Sequence, residues 1–311
     1  MRKFPRPKIV VSKCLGFEAV RYDGGIIHSD FVEQLKPHVD FIPICPEIEM
    51  GLKTPREPLH IISSKGNLRL IQSSSGKDIT SKMATVVNKF LDSAYEIDGF
   101  ILKSKSPSCA LRDATVFRKG EGEPIPGEWP GLFGFGAMDS YQYAAFEDEI
   151  RLKKKKIREE FLIQIFSFAS LREATELKSP KLLGKFHSQN EMLLTARYPE
   201  AFDILKLLLM SCDGKLTPLQ SIEYRAYFIT VLKRPPNREV VLSMVESALS
   251  RVSKKLSQAD RRDFLNAIKS YKTKKNSLCE ALNIMHNHIH KSRDNYLMSQ
   301  TFFEPFPFDL I

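Results

Sequence analysis

No Cys-x-x-Cys pair occurs anywhere in the 311 residues, and no Gly-Lys-Ser or Gly-Lys-Thr follows any glycine cluster. The first absence excludes the usual knuckles of structural zinc, and the second excludes a P-loop for nucleoside triphosphates. Long apolar runs are missing too. The stretch Phe161 to Leu171 is better read as a buried helix than as a span, which needs about 20 residues. Near the start, Ile9 to Val11 is too short for a signal sequence. Five cysteines, an odd number without close pairing, argue against a disulfide-knit secreted scaffold, so a reducing cytoplasm is the expected compartment. There is one tryptophan and no fixed-period repeat.

What is present is a length sufficient for two cores and a lopsided charge. Residues 1–150 carry 19 Lys+Arg against 20 Asp+Glu, while residues 151–311 carry 28 against 17. The basic surplus belongs to the second half. It reads either as a solvated helical surface or as attraction to a polyanion such as RNA.

The first half alternates strand-like and helix-like segments. Lys8 to Ser12, Val39 to Cys45 and Gly99 to Lys103 read as strands; Leu59 to Ser63 and Asn67 to Ser73 read as a hairpin. Helices are expected after Ser29 and over Thr80 to Ala94. This order predicts an α/β domain with a mostly parallel sheet, whose ligands bind beyond the carboxyl ends of the strands. The Gly/Pro-rich segment 119–136 reads as a long ordered loop, with only a weak phosphate-loop signal at Gly131, Gly134 and Gly136. The second half reads as an all-α bundle, with helices around 187–197, 199–211, 217–233, 237–252, 258–271 and 276–299. The expected domains are 1–150, a linker and connecting helix over 151–180, and a basic helical domain over 181–311.

Three cysteines, Cys14, Cys45 and Cys109, each follow a strand-like run and lie among Pro, Ser, Gly and acidic residues. Three thiolates are one short of closing a four-iron cluster. Around Cys14, Arg21 and Asp23 either orient a substrate or pair with each other. Beside Cys45, Glu47 suits proton transfer next to a metal, and Arg56 either grips an anion or forms a stabilising ion pair. Before Cys109, Ser106 and Ser108 offer hydroxyls that can bond cluster sulfurs or act on a substrate. Cys212 and Cys279 read as packing residues. His286 and His290 share a helix face with His288 nearby; lacking a carboxylate close in sequence, they read as a surface or RNA-facing cluster rather than a metal site.

The segments SKCLG…VRYDG, PICPE…GL…PR.P and LKSKSPSC resemble the thiouracil desulfidase family over roughly residues 8–140. The segments KFHSQNEMLL…YPEAF and YLMSQTFFEPFP resemble the helical domain often fused behind it, as in bacterial tRNA 4-thiouridine desulfidases. The resemblance implies a [4Fe-4S] cluster held by Cys14, Cys45 and Cys109, whose fourth iron takes the substrate's sulfur without net electron transfer. It implies Glu47 as the catalytic carboxylate and a serine of the third motif as its helper, with Ser106 preferred to Ser108. The expected substrate is 4-thiouridine in tRNA, with no membrane or DNA partner. The alternatives are a free thiouracil or thiouridine nucleotide, or a non-catalytic RNA-binding or cluster-sensing protein. Ala110 departs from the family's glycine after the third cysteine, and a methyl group is tolerable there only if the backbone avoids positive φ. Glu49-Met50 replaces the small residues common before Gly51-Leu52, which leaves substrate preference open.

Overall fold

A computed structural model describes residues 2–64, 66–93, 96–118, 122–176, 178–211 and 215–311. The chain divides into two compact units, Arg6–Phe161 and Met1–Pro5 with Leu162–Ile311.

The first unit contains β1 (Lys8–Ser12), α1 (Asp30–Leu35), β2 (Asp40–Ile44), α2 (Pro46–Glu49), β3 (Leu59–Ser64), β4 (Asn67–Gln72) and α3 (Thr80–Asp92). It continues through β5 (Gly99–Leu102), β6 (Val116–Arg118), α4 (Leu132–Ser140) and β7 (Ala145–Asp148). One sheet has the order β2-β1-β5-β7, and each of its pairings is parallel. The central strands explain this: Ile9, Val10, Val11, Phe100, Ile101 and Leu102 are fully buried, as β-branched and apolar runs covered on both faces must be. Phe100 stacks on Phe146 of the neighbouring strand with ring centroids 4.5 Å apart. The expected hairpin is present as β3 and β4, paired antiparallel from Leu59↔Gln72 to Ser64↔Asn67. It does not extend the parallel sheet but forms a second one with β6, in the order β4-β3-β6.

The expectation of an unbroken loop over 119–136 is wrong for its last part, because α4 begins at Leu132. Glycine there serves close packing rather than a turn. A Cβ on Gly131 would come within 2.5 Å of the Ser108 carbonyl carbon, one on Gly134 would collide with the carbonyl of Ala110, and one on Gly136 would meet Val87 at 2.6 Å. The helix lies directly against the backbone that carries Cys109. Short β6 and β7 and the one-turn α2 are additional to the elements expected from sequence.

The second unit is helical. Following α5 (Lys155–Glu176), through which the division between the units runs, come α6 (Pro180–Gln189), α7 (Glu191–Thr195), α8 (Ala201–Met210) and α9 (Pro218–Leu232). Then come α10 (Arg238–Val252), α11 (Gln258–Lys272), α12 (Leu278–Ser292) and α13 (Asn295–Ser299). The starts of α6 and of α9 to α13 are marked by side-chain caps, including capping boxes at Thr217 with Gln220 and at Ser277 with Glu280. Cys279 is buried in α12 as expected, whereas Cys212 lies outside the described residues. No helix among the described residues is long and apolar enough to cross a membrane.

Candidate active site

The carboxyl ends of four adjacent parallel strands supply the site. Cys45 follows the last residue of β2 and caps α2, Cys14 lies two residues past β1, and Cys109 sits in the turn beyond β5. The Lys13 N–H donates to the Ile44 carbonyl at 2.8 Å, which locks the ends of β1 and β2 side by side. All three thiols line one pocket of about 310 Å³, together with Glu47, Arg56 and Ser106.

Glu47 is held from two sides. Its Oε1 accepts from Ser108 Oγ at 2.9 Å, and its Oε2 accepts from Arg56 Nε at 2.8 Å. Both partners of the ion pair are largely withdrawn from solvent, with side-chain exposures of 7% for Arg56 and 12% for Glu47. Arg56 is itself tied down, donating through Nη2 to the Val20 carbonyl at 2.8 Å and through Nη1 to Thr54 Oγ1 at 3.2 Å. A carboxylate anchored at both oxygens keeps a defined orientation toward the pocket.

The two serines have different surroundings. Ser106 Oγ accepts the backbone N–H groups of Ser108 at 3.2 Å and Cys109 at 3.0 Å, so it shapes the turn that presents the thiol. Ser108 is fully buried and reaches Glu47. Arg21 lines the pocket, while Asp23 pairs with it at 3.3 Å and accepts from the Gly25 N–H at 2.9 Å. Ala110 is not among the residues with positive φ, so its methyl group is accommodated.

Sequence reading missed a second polar network beside the thiols. Glu149 directly follows β7 and is buried; it accepts from Lys103 Nζ at 2.7 Å, from Ser104 N–H at 2.9 Å and from Ser104 Oγ at 3.0 Å. The signal was available: an acidic residue at the end of a strand neighbouring β5. It was hidden because Ala145–Asp148, with two acidic residues in four, does not look like a strand. Ser12, the last residue of β1, is also buried and its Oγ accepts the Lys103 N–H at 2.9 Å.

The thiols are electrostatically coupled. Burial, then repulsion from Cys45, pushes Cys14 up to about 11, with Lys103 opposing. Burial also raises Cys45, opposed by the N–H groups of Ile48 and Glu47, and raises Cys109 strongly, opposed by the Ser12 hydroxyl. Three soft donors crowded where thiolates repel one another suit a cationic iron-sulfur core, which compensates that charge, and the opposing N–H and O–H groups are of the kind that bond cluster sulfurs. The donor set thus fits a cluster with three protein ligands.

Residues 9–149 match the model of the family described as 2-thiouracil desulfurase, and residues 192–307 match that of a protein of unknown function, DUF1722. The chain is 38% identical over 108 residues to the uncharacterized protein YbbK of Bacillus subtilis, covering 32% of this chain and 72% of the relative. A solved structure titled as the [4Fe-4S]-dependent thiouracil desulfidase TudS aligns with 26% identity and a TM-score of 0.39, covering 50% of this chain and 98% of that one.

Proposed function

The chain belongs to the 2-thiouracil desulfurase family through its first unit, and from that membership we propose that it is a desulfidase of thiolated pyrimidines, acting on 4-thiouridine in tRNA to give uridine. The observation that carries this reading is the convergence of three thiols and an anchored carboxylate on one pocket. Cys14, Cys45 and Cys109 are the residues that would hold a [4Fe-4S] cluster. Bound through three thiolates, such a cluster supplies one iron without a protein ligand, a Lewis acid toward sulfur that requires no net electron transfer.

The chain's own residues handle the water and its protons. Glu47 takes a proton from water as the oxygen adds to the thiocarbonyl carbon, and passes it on toward the departing sulfur. The water oxygen stays on the ring and its two hydrogens leave with sulfur as hydrogen sulfide. Arg56 and Ser108 hold the carboxylate in place through this exchange, and Arg21, which lines the same pocket, would be the cation available to a ribose or phosphate.

One feature supports a tRNA substrate: the basic surplus in residues 151–311. The second reading is a free thiouracil or a thiouridine nucleotide, to which the family's own description points. Protein purified anaerobically and reconstituted with iron and sulfide is incubated separately with thiolated tRNA and with 2-thiouracil, and the products are analysed by mass spectrometry. Turnover of the free base alone overturns the tRNA assignment. No product from either leaves the non-catalytic, cluster-sensing alternative standing.

A further inference from the structure

A second set of ligand-type side chains lies in the helical unit, on residues that the desulfidase reading does not use. His286 and His290 are four positions apart on α12, and their rings meet edge-on with centroids 4.4 Å apart. Glu304, in the segment after α13, joins them: one ligand atom from each of the three residues falls within 4.8 Å of the other two. The missing carboxylate that argued against a metal at this histidine pair is therefore supplied from the C-terminal segment, at a distance in sequence that no spacing rule reveals. His288, on the other side of the helix, is buried and faces Asp260 at 3.2 Å, so the three histidines are not one surface cluster.

The geometry differs from that of a simple ion pair. His286 Nε2 lies 3.3 Å from Glu304 Oε2, yet it is buried and makes no hydrogen bond. The two atoms are close but not aimed at each other. Donors bound to tetrahedral zinc at about 2.1 Å stand about 3.4 Å apart; the His286–Glu304 pair has that spacing, and all three ligand atoms fall within 4.8 Å of one another. Phe308 packs edge-on against His286 with ring centroids 5.7 Å apart. Arg2 donates to the Glu304 main-chain oxygen at 3.4 Å.

We propose that His286, His290 and Glu304 form a zinc-type divalent cation site that fastens the C-terminal segment to α12. Two imidazoles and one carboxylate are the borderline donor set that zinc prefers over magnesium or calcium, and the fourth position is left to water or an exogenous ligand.

The test uses untagged, full-length protein carrying its iron-sulfur centre, freed of loosely held metal by a chelator and then titrated with zinc chloride or cobalt chloride. The expected result is stoichiometric zinc by mass spectrometry, a rise in Tm, and a cobalt spectrum with tetrahedral d–d bands and no thiolate charge-transfer band. His290→Ala and the near-isosteric Glu304→Gln abolish these signals, and the triple variant Cys14→Ser/Cys45→Ser/Cys109→Ser retains them. Should His290→Ala fail to fold, Glu304→Gln carries the comparison. Zinc binding equal in wild type and Glu304→Gln, binding lost in the cysteine triple variant, or no binding at all overturns the site. None of these outcomes depends on desulfidase activity.

Discussion

The hydroxyl of Ser108 donates to Oε1 of Glu47 at 2.9 Å, joining residues 61 positions apart. Ser108 is fully buried, so this bond ties the turn beyond β5 to the first turn after β2, each of which also carries a thiol. A hydrogen bond to a charged group contributes about 1.5–3 kcal/mol. Ser108→Ala should accordingly lower kcat by about 10- to 100-fold through a misplaced Glu47, with the brown iron-sulfur absorbance intact. Ser106→Ala removes the acceptor for the Ser108 and Cys109 N–H groups and should instead lower the iron content of reconstituted protein. Iron analysis and single-turnover rates separate the two; identical behaviour of both variants contradicts the division of roles.

Arg56 joins Glu47 to the Val20 carbonyl, which also faces the Cys45 thiol at 4.0 Å. With the pair nearly excluded from solvent, Arg56→Ala leaves an unpaired carboxylate and should destabilise the first unit by about 3 kcal/mol. Arg56→Lys keeps a charge but not the planar fork that reaches Glu47 and Val20 together, and should recover only part of the loss. Urea unfolding measures both, and a stable Arg56→Ala protein would show that the pair contributes nothing.

The elements that carry the cysteines were readable because their signals are local. Val10, Val11, Phe100 and Ile101 announce buried strands, and the proline, glycine and cysteine that follow announce where they stop. What escaped depends on packing between distant segments. The start of α4 contradicts glycine's helix propensity, and Gly134 is there because the Ala110 carbonyl occupies the space a side chain would take. Glu149 escaped because an acidic, four-residue strand has no alternating pattern, and only its pairing with β5 reveals it. Glu304 escaped because its partners are on a helix whose spacing names two ligands and says nothing of a third.

That close approach at α4 has a measurable consequence. Gly134→Ala places a methyl group against the carbonyls of Ala110 and Cys109, and backbone cannot yield as a flexible side chain can. Overpacking of this kind costs about 1–3 kcal/mol, and the displacement falls on a thiol of the pocket. The variant should bind substoichiometric iron, with a lower Tm. Gly184→Ala, inside α6 with an added Cβ that meets nothing within 4 Å, is the control: it should leave the iron content unchanged and raise rather than lower Tm.

The helical unit contains its own pH dependence at His187. The ring is buried, stacked on Phe202 with centroids 4.1 Å apart, and its Nδ1 lies 3.1 Å from the Tyr224 hydroxyl. Burial, with Lys206 adding and Asp203 opposing, pushes it from 6.5 down to about 4. Because the folded value is depressed, the unfolded chain takes up a proton between those values that the folded chain refuses. The neutral histidine's contribution is therefore complete above pH 6.5, falls as the pH drops through the window, and levels off near pH 4, a change of at most about 3 kcal/mol. His187→Phe keeps the ring stack and removes the titration. The wild type should lose more stability than His187→Phe between pH 7 and pH 5 when unfolding of the helical unit is followed by urea titration. Equal slopes for the two proteins would mean that His187 is protonated in the folded state after all, and that its contact with Tyr224 survives the charge.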